Sequence, residues 1–181
     1  MAQIILITGG ARSGKSAHAL QLGESLGAKR LFVATCPVID REMTDRVQRH
    51  QEERRGRGWT TVECETELGS LFPAKTEGFD VVLIDCITLW VNNLLFLHDR
   101  SGTIVNDHLI GQMCSEWLAK TNIYPGAVVC VTNEVGLGIV PDNALARKYR
   151  DLVGTCNQII GKNADEVILV SCGIPLHLKK R

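Results

Sequence analysis

Aromatic residues make up only 5% of the 181-residue chain, so no stacking platform for a flat ligand is evident. Excess charge is missing as well: 20 Lys and Arg balance 20 Asp and Glu. A neutral balance gives no support to nucleic acid or an anionic membrane surface as a partner. No apolar run approaches the roughly 18 residues of a membrane helix. No basic stretch precedes the first apolar run, which argues against a secretory leader and for a cytoplasmic location. The seven cysteines include no Cys-x-x-Cys pair. An odd, well-spread set reads as reduced thiols rather than a disulfide frame or a zinc site. Interdomain linkers, internal repeats and low-complexity stretches are absent too, so residues 1–181 are expected to form a single domain.

What is present is a series of short apolar or β-branched runs: Ile4–Thr8, Arg30–Thr35, Thr60–Glu63, Val81–Asp85, Ala127–Thr132 and Val167–Ser171. Several lack polar alternation, as strands do when both faces of a sheet are covered. Helix-length segments lie between most of them. That rhythm predicts an α/β fold with a mostly parallel open sheet and helices on both faces. A run around Leu176–Leu178 reads as a closing edge strand.

The first run leads directly into Gly9-Gly10-Ala11-Arg12-Ser13-Gly14-Lys15-Ser16, and a helix-compatible stretch, Ala17–Leu26, follows. Strand, glycine-rich loop and helix in this order are the context a Walker A phosphate loop requires. Glycines allow the backbone to fold so that several N–H groups face one anion, and the helix adds its positive dipole end. Lys15 is placed to reach the β- and γ-phosphates and Ser16 to ligate Mg²⁺. The fold class is therefore P-loop NTPase-like, of the RecA-like kind.

Phosphate-loop proteins carry a second acid at the end of a neighbouring strand, and Asp85 ends the run Val81–Asp85. Metal binding and helix N-capping are its two readings, with metal favoured by the phosphate loop. Asn-Lys-x-Asp, the guanine-reading segment of regulatory GTPases, is absent. Asp151-Leu152-Val153-Gly154 follows a helix-like run, not a strand, so it is no GTPase element.

Between Arg46 and Gly58 stand five arginines against two acids. Met43, Val47 and His50 share one helical face. His50 is either a core-facing histidine or a nucleophile held among phosphate-binding arginines. The residues alone leave both open. Asn133 and Glu134 leave a strand for a loop with two glycines, at the end where such sheets bind ligands. No role follows for them from the sequence.

Four segments together resemble one family: Thr8–Ser16, Arg46-Val-x-x-His50 with Trp59-x-Thr-x-Glu63, Asp85-Cys-Ile-Thr88, and Thr132-Asn-Glu-Val-Gly-x-Gly-Ile-Val-Pro141. The chain resembles the bifunctional adenosylcobinamide kinase / adenosylcobinamide-phosphate guanylyltransferases of cobalamin biosynthesis over nearly its whole length. The resemblance implies phosphorylation of adenosylcobinamide by ATP or GTP, then GMP transfer from GTP through a guanylylated histidine, matched here by His50. It also implies nucleotide contacts at Thr35, Cys36, Pro37, Gln51, Glu52, Glu53, Arg54, Glu63 and Asp85, and a homotrimer. A P-loop small-molecule kinase without a covalent intermediate is the alternative.

Overall fold

The computed structural model describes residues 1–37, 47–48, 51–102 and 104–180. Strand β1 spans Gln3–Thr8, helix α1 Lys15–Leu26, β2 Arg30–Ala34, β3 Trp59–Glu63 and β4 Val81–Asp85. They are followed by α2 Ile87–Ser101, α3 Asp107–Thr121, β5 Ala127–Val131, α4 Ala144–Asn163, β6 Glu166–Ser171 and β7 Ile174–Lys180. Residues 47–48 and 51–54 are helical. Each apolar run is a strand to within a residue or two.

The seven strands form one sheet in the order β3-β2-β4-β5-β1-β6-β7. All neighbours are parallel except β6 and β7. The strand expected around Leu176–Leu178 is this antiparallel edge. Asp85 was expected to end a strand adjoining the loop-bearing one, and it does not. β5 lies between β1 and β4, and Asp85 is in register with Val131 of β5. Strand adjacency is set by non-local pairing, which no local pattern reports.

Period-2 side-chain alternation explains why the strands are apolar throughout. Ile4, Leu6, Val33, Val82, Ile84, Val128 and Cys130 pack with the helices α2, α3 and α4 on one face. Ile5, Ile7, Phe32, Leu83, Val129 and Val131 pack with Ala19 and Leu20 of α1 on the other. Asparagines start two helices: Asn106 accepts from the Leu109 N–H at 3.0 Å, and Asn143 from Leu145 and Ala146. Each satisfies donors that a helix N-terminus otherwise leaves orphaned. All seven cysteines are free thiols. Cys114 and Cys156 face each other across α3 and α4 with sulfurs 3.2 Å apart, and that contact together with burial pushes the Cys156 thiol up.

Candidate active site

The carboxyl ends of β1, β5, β4, β2 and β3 lie along one edge of the sheet, which carries the phosphate loop, Thr35, Glu63 and Asp85 at its strand ends. At β1 the chain turns through the loop: the Ser13 N–H donates to the Gly10 carbonyl, and the His18 N–H to that of Gly14. Gly14 sits at φ 94°, a left-handed conformation that glycine adopts at little cost. A Cβ there would stand 3.2 Å from the Gly173 Cα. At Gly9 a Cβ would collide with the Val170 carbonyl oxygen. The loop is thus clamped by the β6–β7 turn, whose Gly173 N–H donates to the Ser13 carbonyl at 2.8 Å.

Lys15 is nearly buried and donates to the Gly10 carbonyl at 3.0 Å, across its own loop. Ser16 lies one residue on, in the first turn of α1. The backbone N–H groups of this turn and the helix dipole make an anion site with no further device.

A second part of the site lies three strands away, across β5 and β4. By strand spacing alone that is about 14 Å. Here a crevice open to solvent is lined by Phe32, Ala34, Cys36, Val47, Arg54, Asp85, Cys86 and Leu89. Arg54 is 6% exposed, and its guanidinium lies 3.5 Å above the centre of the Phe32 ring. Its Nε and Nη1 are buried without hydrogen-bond partners among the described residues. Burial pulls this guanidinium below its ordinary pKa, while the charges of Asp85 and Glu53 oppose the shift. A stacked, desolvated cation with unused donors is built to receive an anion or a carbonyl oxygen.

The remaining expected residues take different places. Thr35 is fully buried and staples β2 to β4: the Cys86 N–H donates to its hydroxyl at 2.7 Å, and that hydroxyl donates to the Cys86 carbonyl. Asn93 donates to its carbonyl, so Thr35 positions the crevice rather than offering it a free group. Pro37 is half-buried, Gln51, Glu52 and Glu53 are exposed, and Glu63 is exposed at the end of edge strand β3. Asp85 does not cap α2. The Trp90 N–H bonds to the Cys86 carbonyl, which places the cap one residue later and leaves the Asp85 side chain facing the crevice. His50 lies outside the described residues.

One residue was not legible as functional. Glu134, just past β5, accepts a 2.6 Å hydrogen bond from the Thr8 hydroxyl, and its N–H donates to the Gly9 carbonyl. The carboxylate beside the phosphate loop is therefore Glu134, while Asp85 belongs to the crevice. Its sequence signals were its place after the carboxyl end of a strand and its membership of the Thr132–Pro141 segment.

Residues 5–178 match the model of the family described as cobinamide kinase / cobinamide phosphate guanyltransferase. The chain belongs to this family. It is 41% identical to the bifunctional adenosylcobalamin biosynthesis protein CobU of Salmonella typhimurium, over 97% of this chain and 99% of that one. Identity is 40% to its Escherichia coli namesake over the same shares, and 34% to CobP of Pseudomonas aeruginosa over 96% of each. The expected enzyme of cobalamin biosynthesis, with kinase and guanylyltransferase activities, stands with the family.

The fold has distant parallels among solved structures. The flagellar accessory protein FlaH of Methanocaldococcus jannaschii superposes with a TM-score of 0.56 at 15% identity, over 99% of this chain and 79% of that one. A type III secretion ATPase gives 0.58 at 13%, over 92% and 50%. These likenesses concern the fold alone, and they bear out the P-loop NTPase-like expectation.

Proposed function

We propose that this member of the family phosphorylates adenosylcobinamide with ATP or GTP, then moves GMP from GTP onto adenosylcobinamide phosphate through a guanylylated His50. The observation that carries this reading is the pairing, on one sheet edge, of an anion-binding loop with a crevice holding a buried cation. A nucleotide seated with its phosphates on Gly9–Ser16 extends across β5 and β4 toward Arg54, Cys36 and Asp85.

In the covalent step an imidazole nitrogen bonds to the α-phosphorus, the bridging oxygen leaves with pyrophosphate, and GMP stays on the histidine. A phosphate oxygen of the second substrate then attacks the same phosphorus and releases the imidazole. Only neutral imidazole has the lone pair to attack, and a reference pKa of about 6.5 supplies that form at neutral pH. Lys15 would exchange the Gly10 carbonyl for phosphate oxygens and stabilise charge on the departing pyrophosphate.

Mg²⁺ fits the donor chemistry of the loop. The Ser16 hydroxyl and the carboxylates at this edge are hard oxygen donors, and Mg²⁺ in such sites takes few protein ligands beside phosphates. Among the described residues there is no group of three or more His, Cys, Asp or Glu poised to hold a metal by itself. Ser16 is the proposed direct ligand and Asp85 the proposed outer one. The ion would neutralise charge on the phosphates.

We also propose a cytoplasmic homotrimer. No described helix is long and apolar enough to cross a membrane. The decisive experiment incubates the protein with α-labelled GTP. An acid-labile, base-stable adduct is expected in the wild type and none in His50→Ala. A wild type that never labels, yet transfers the γ-phosphate, would replace the covalent mechanism with that of a simple kinase.

A further inference from the structure

The chemistry of the kinase half needs a group that no motif supplied. A hydroxyl attacking the γ-phosphorus must lose its proton, and a carboxylate within reach is a suitable acceptor. Lys15 carries positive charge, and Ser16 is committed to the loop.

Three observations converge on Glu134. Its carboxylate is 2.6 Å from the Thr8 hydroxyl, one residue before the phosphate loop begins. Its own N–H is bonded to the Gly9 carbonyl at 3.2 Å, so backbone and side chain are both tied to the loop's entry. It is only half-buried, whereas its partner Thr8 is 4% exposed. The residue before it is also fixed. Asn133 donates to the Thr88 hydroxyl, and its carbonyl accepts from Asn157, whose Oδ1 accepts a hydrogen bond from the Thr132 hydroxyl. Asp85 is the competing acid, but it ends β4, one strand further from β1, and lines the crevice.

We infer that Glu134 is the general base of the phosphorylation reaction, accepting the proton of the substrate hydroxyl. The hydroxyl oxygen bonds to the γ-phosphorus, and the bond from that phosphorus to the β–γ bridging oxygen breaks. The electron pair leaves with the nucleoside diphosphate, and the proton passes to a Glu134 carboxylate oxygen and then to water. Guanylyl transfer needs no such base, because its incoming groups are a neutral imidazole and an ionised phosphate. The inference rests on the kinase half of the proposed function.

The test is Glu134→Gln, with Thr8→Val beside it. Glutamine keeps an oxygen to accept the Thr8 hydrogen bond but takes no proton at neutral pH. The kcat of adenosylcobinamide phosphorylation should fall about a hundredfold or more, within the usual range for a lost general base. Nucleotide affinity, by titration, and guanylyl transfer to separately supplied adenosylcobinamide phosphate should change by less than about threefold. Thr8→Val removes the hydrogen bond and keeps the carboxylate, so its kinase rate should fall less than about tenfold. The inference is overturned if Glu134→Gln keeps a kinase rate within tenfold of wild type. It is equally overturned if both activities and nucleotide affinity fall together, or if Thr8→Val is as damaging, since either marks a loop-holding role. A wild type that phosphorylates no cobinamide would instead remove the reaction itself.

Discussion

Arg54 carries a burden that the described residues relieve only in part. Its guanidinium stacks on Phe32, is 6% exposed and has two nitrogens without hydrogen-bond partners among the described residues. Burying a cation without full pairing costs stability, and the cost is recovered only when a ligand supplies the missing acceptors. Arg54→Met keeps a long stem over Phe32 and removes the charge. Chemical denaturation should find this variant as stable as wild type, or more stable by about 1–2 kcal/mol. GTP affinity should fall at least tenfold, the worth of one charge-assisted hydrogen bond. A variant that is destabilised yet binds GTP normally would reassign Arg54 to the core. The arginine-rich stretch around it leaves two readings open, a solvated face or phosphate-binding groups, because local spacing cannot tell which arginine turns inward. Glu134 is visible in the sequence at the ligand end of a strand but has no role there for a related reason: a lone carboxylate in a glycine-containing loop has no defined neighbour until the strand beside it is known.

Between the elements, a latch sets where Arg54 lies. Glu24 of α1 accepts from Arg57 Nη2 at 2.9 Å, pairs with Arg57 Nε at 2.7 Å and accepts from the Trp59 indole N–H. Trp59 packs closely on α1 at Gly23, where a Cβ would meet its ring at 2.7 Å. The hydrogen bond from Arg57 holds the Glu24 carboxyl below its ordinary value of 4.5, with burial opposing. A carboxyl lowered in the fold stabilises above its unfolded pKa, and that contribution drains as pH falls through the lower folded value. Thermal melting of wild type and Glu24→Gln should therefore differ at neutral pH and converge as pH drops below about 4.5. The latch is partly exposed, so the difference should be at most about 1 kcal/mol. A gap that persists unchanged at low pH would mean packing, not charge, holds the latch. At this scale β1, the phosphate loop and α1 were legible, because strand, glycines and helix are contiguous. The insertion of β5 between β1 and β4 was not, because it depends on pairing between distant segments, and it is what moved the nearest acid from Asp85 to Glu134.

Among the described residues, two groups of exposed apolar side chains lie on unlike parts of the sheet's surroundings. On β7, at the sheet's edge, Ile174, Leu176 and Leu178 alternate and are 58–69% exposed. Beyond the phosphate loop, Leu137, Ile139, Val140 and Leu145 are 56–97% exposed. A bare edge strand with an apolar row invites association unless it is covered. A cyclic trimer uses one patch of each subunit against a different patch of the next, and two unlike patches are what that closure needs. The proposed trimer would set β7 of one copy against the 137–145 segment of its neighbour, and a second chain would then stand at the edge that carries the phosphate loop. Sedimentation velocity should give three times the 19.9 kDa chain mass. Leu176→Asp and Ile139→Asp should each release monomer. An equal mixture of the two variants retains one intact pair of surfaces, so it should form a heterodimer and stop there. If each patch met its own copy instead, like variants would still pair through the patch they keep, and each variant alone would already be a dimer.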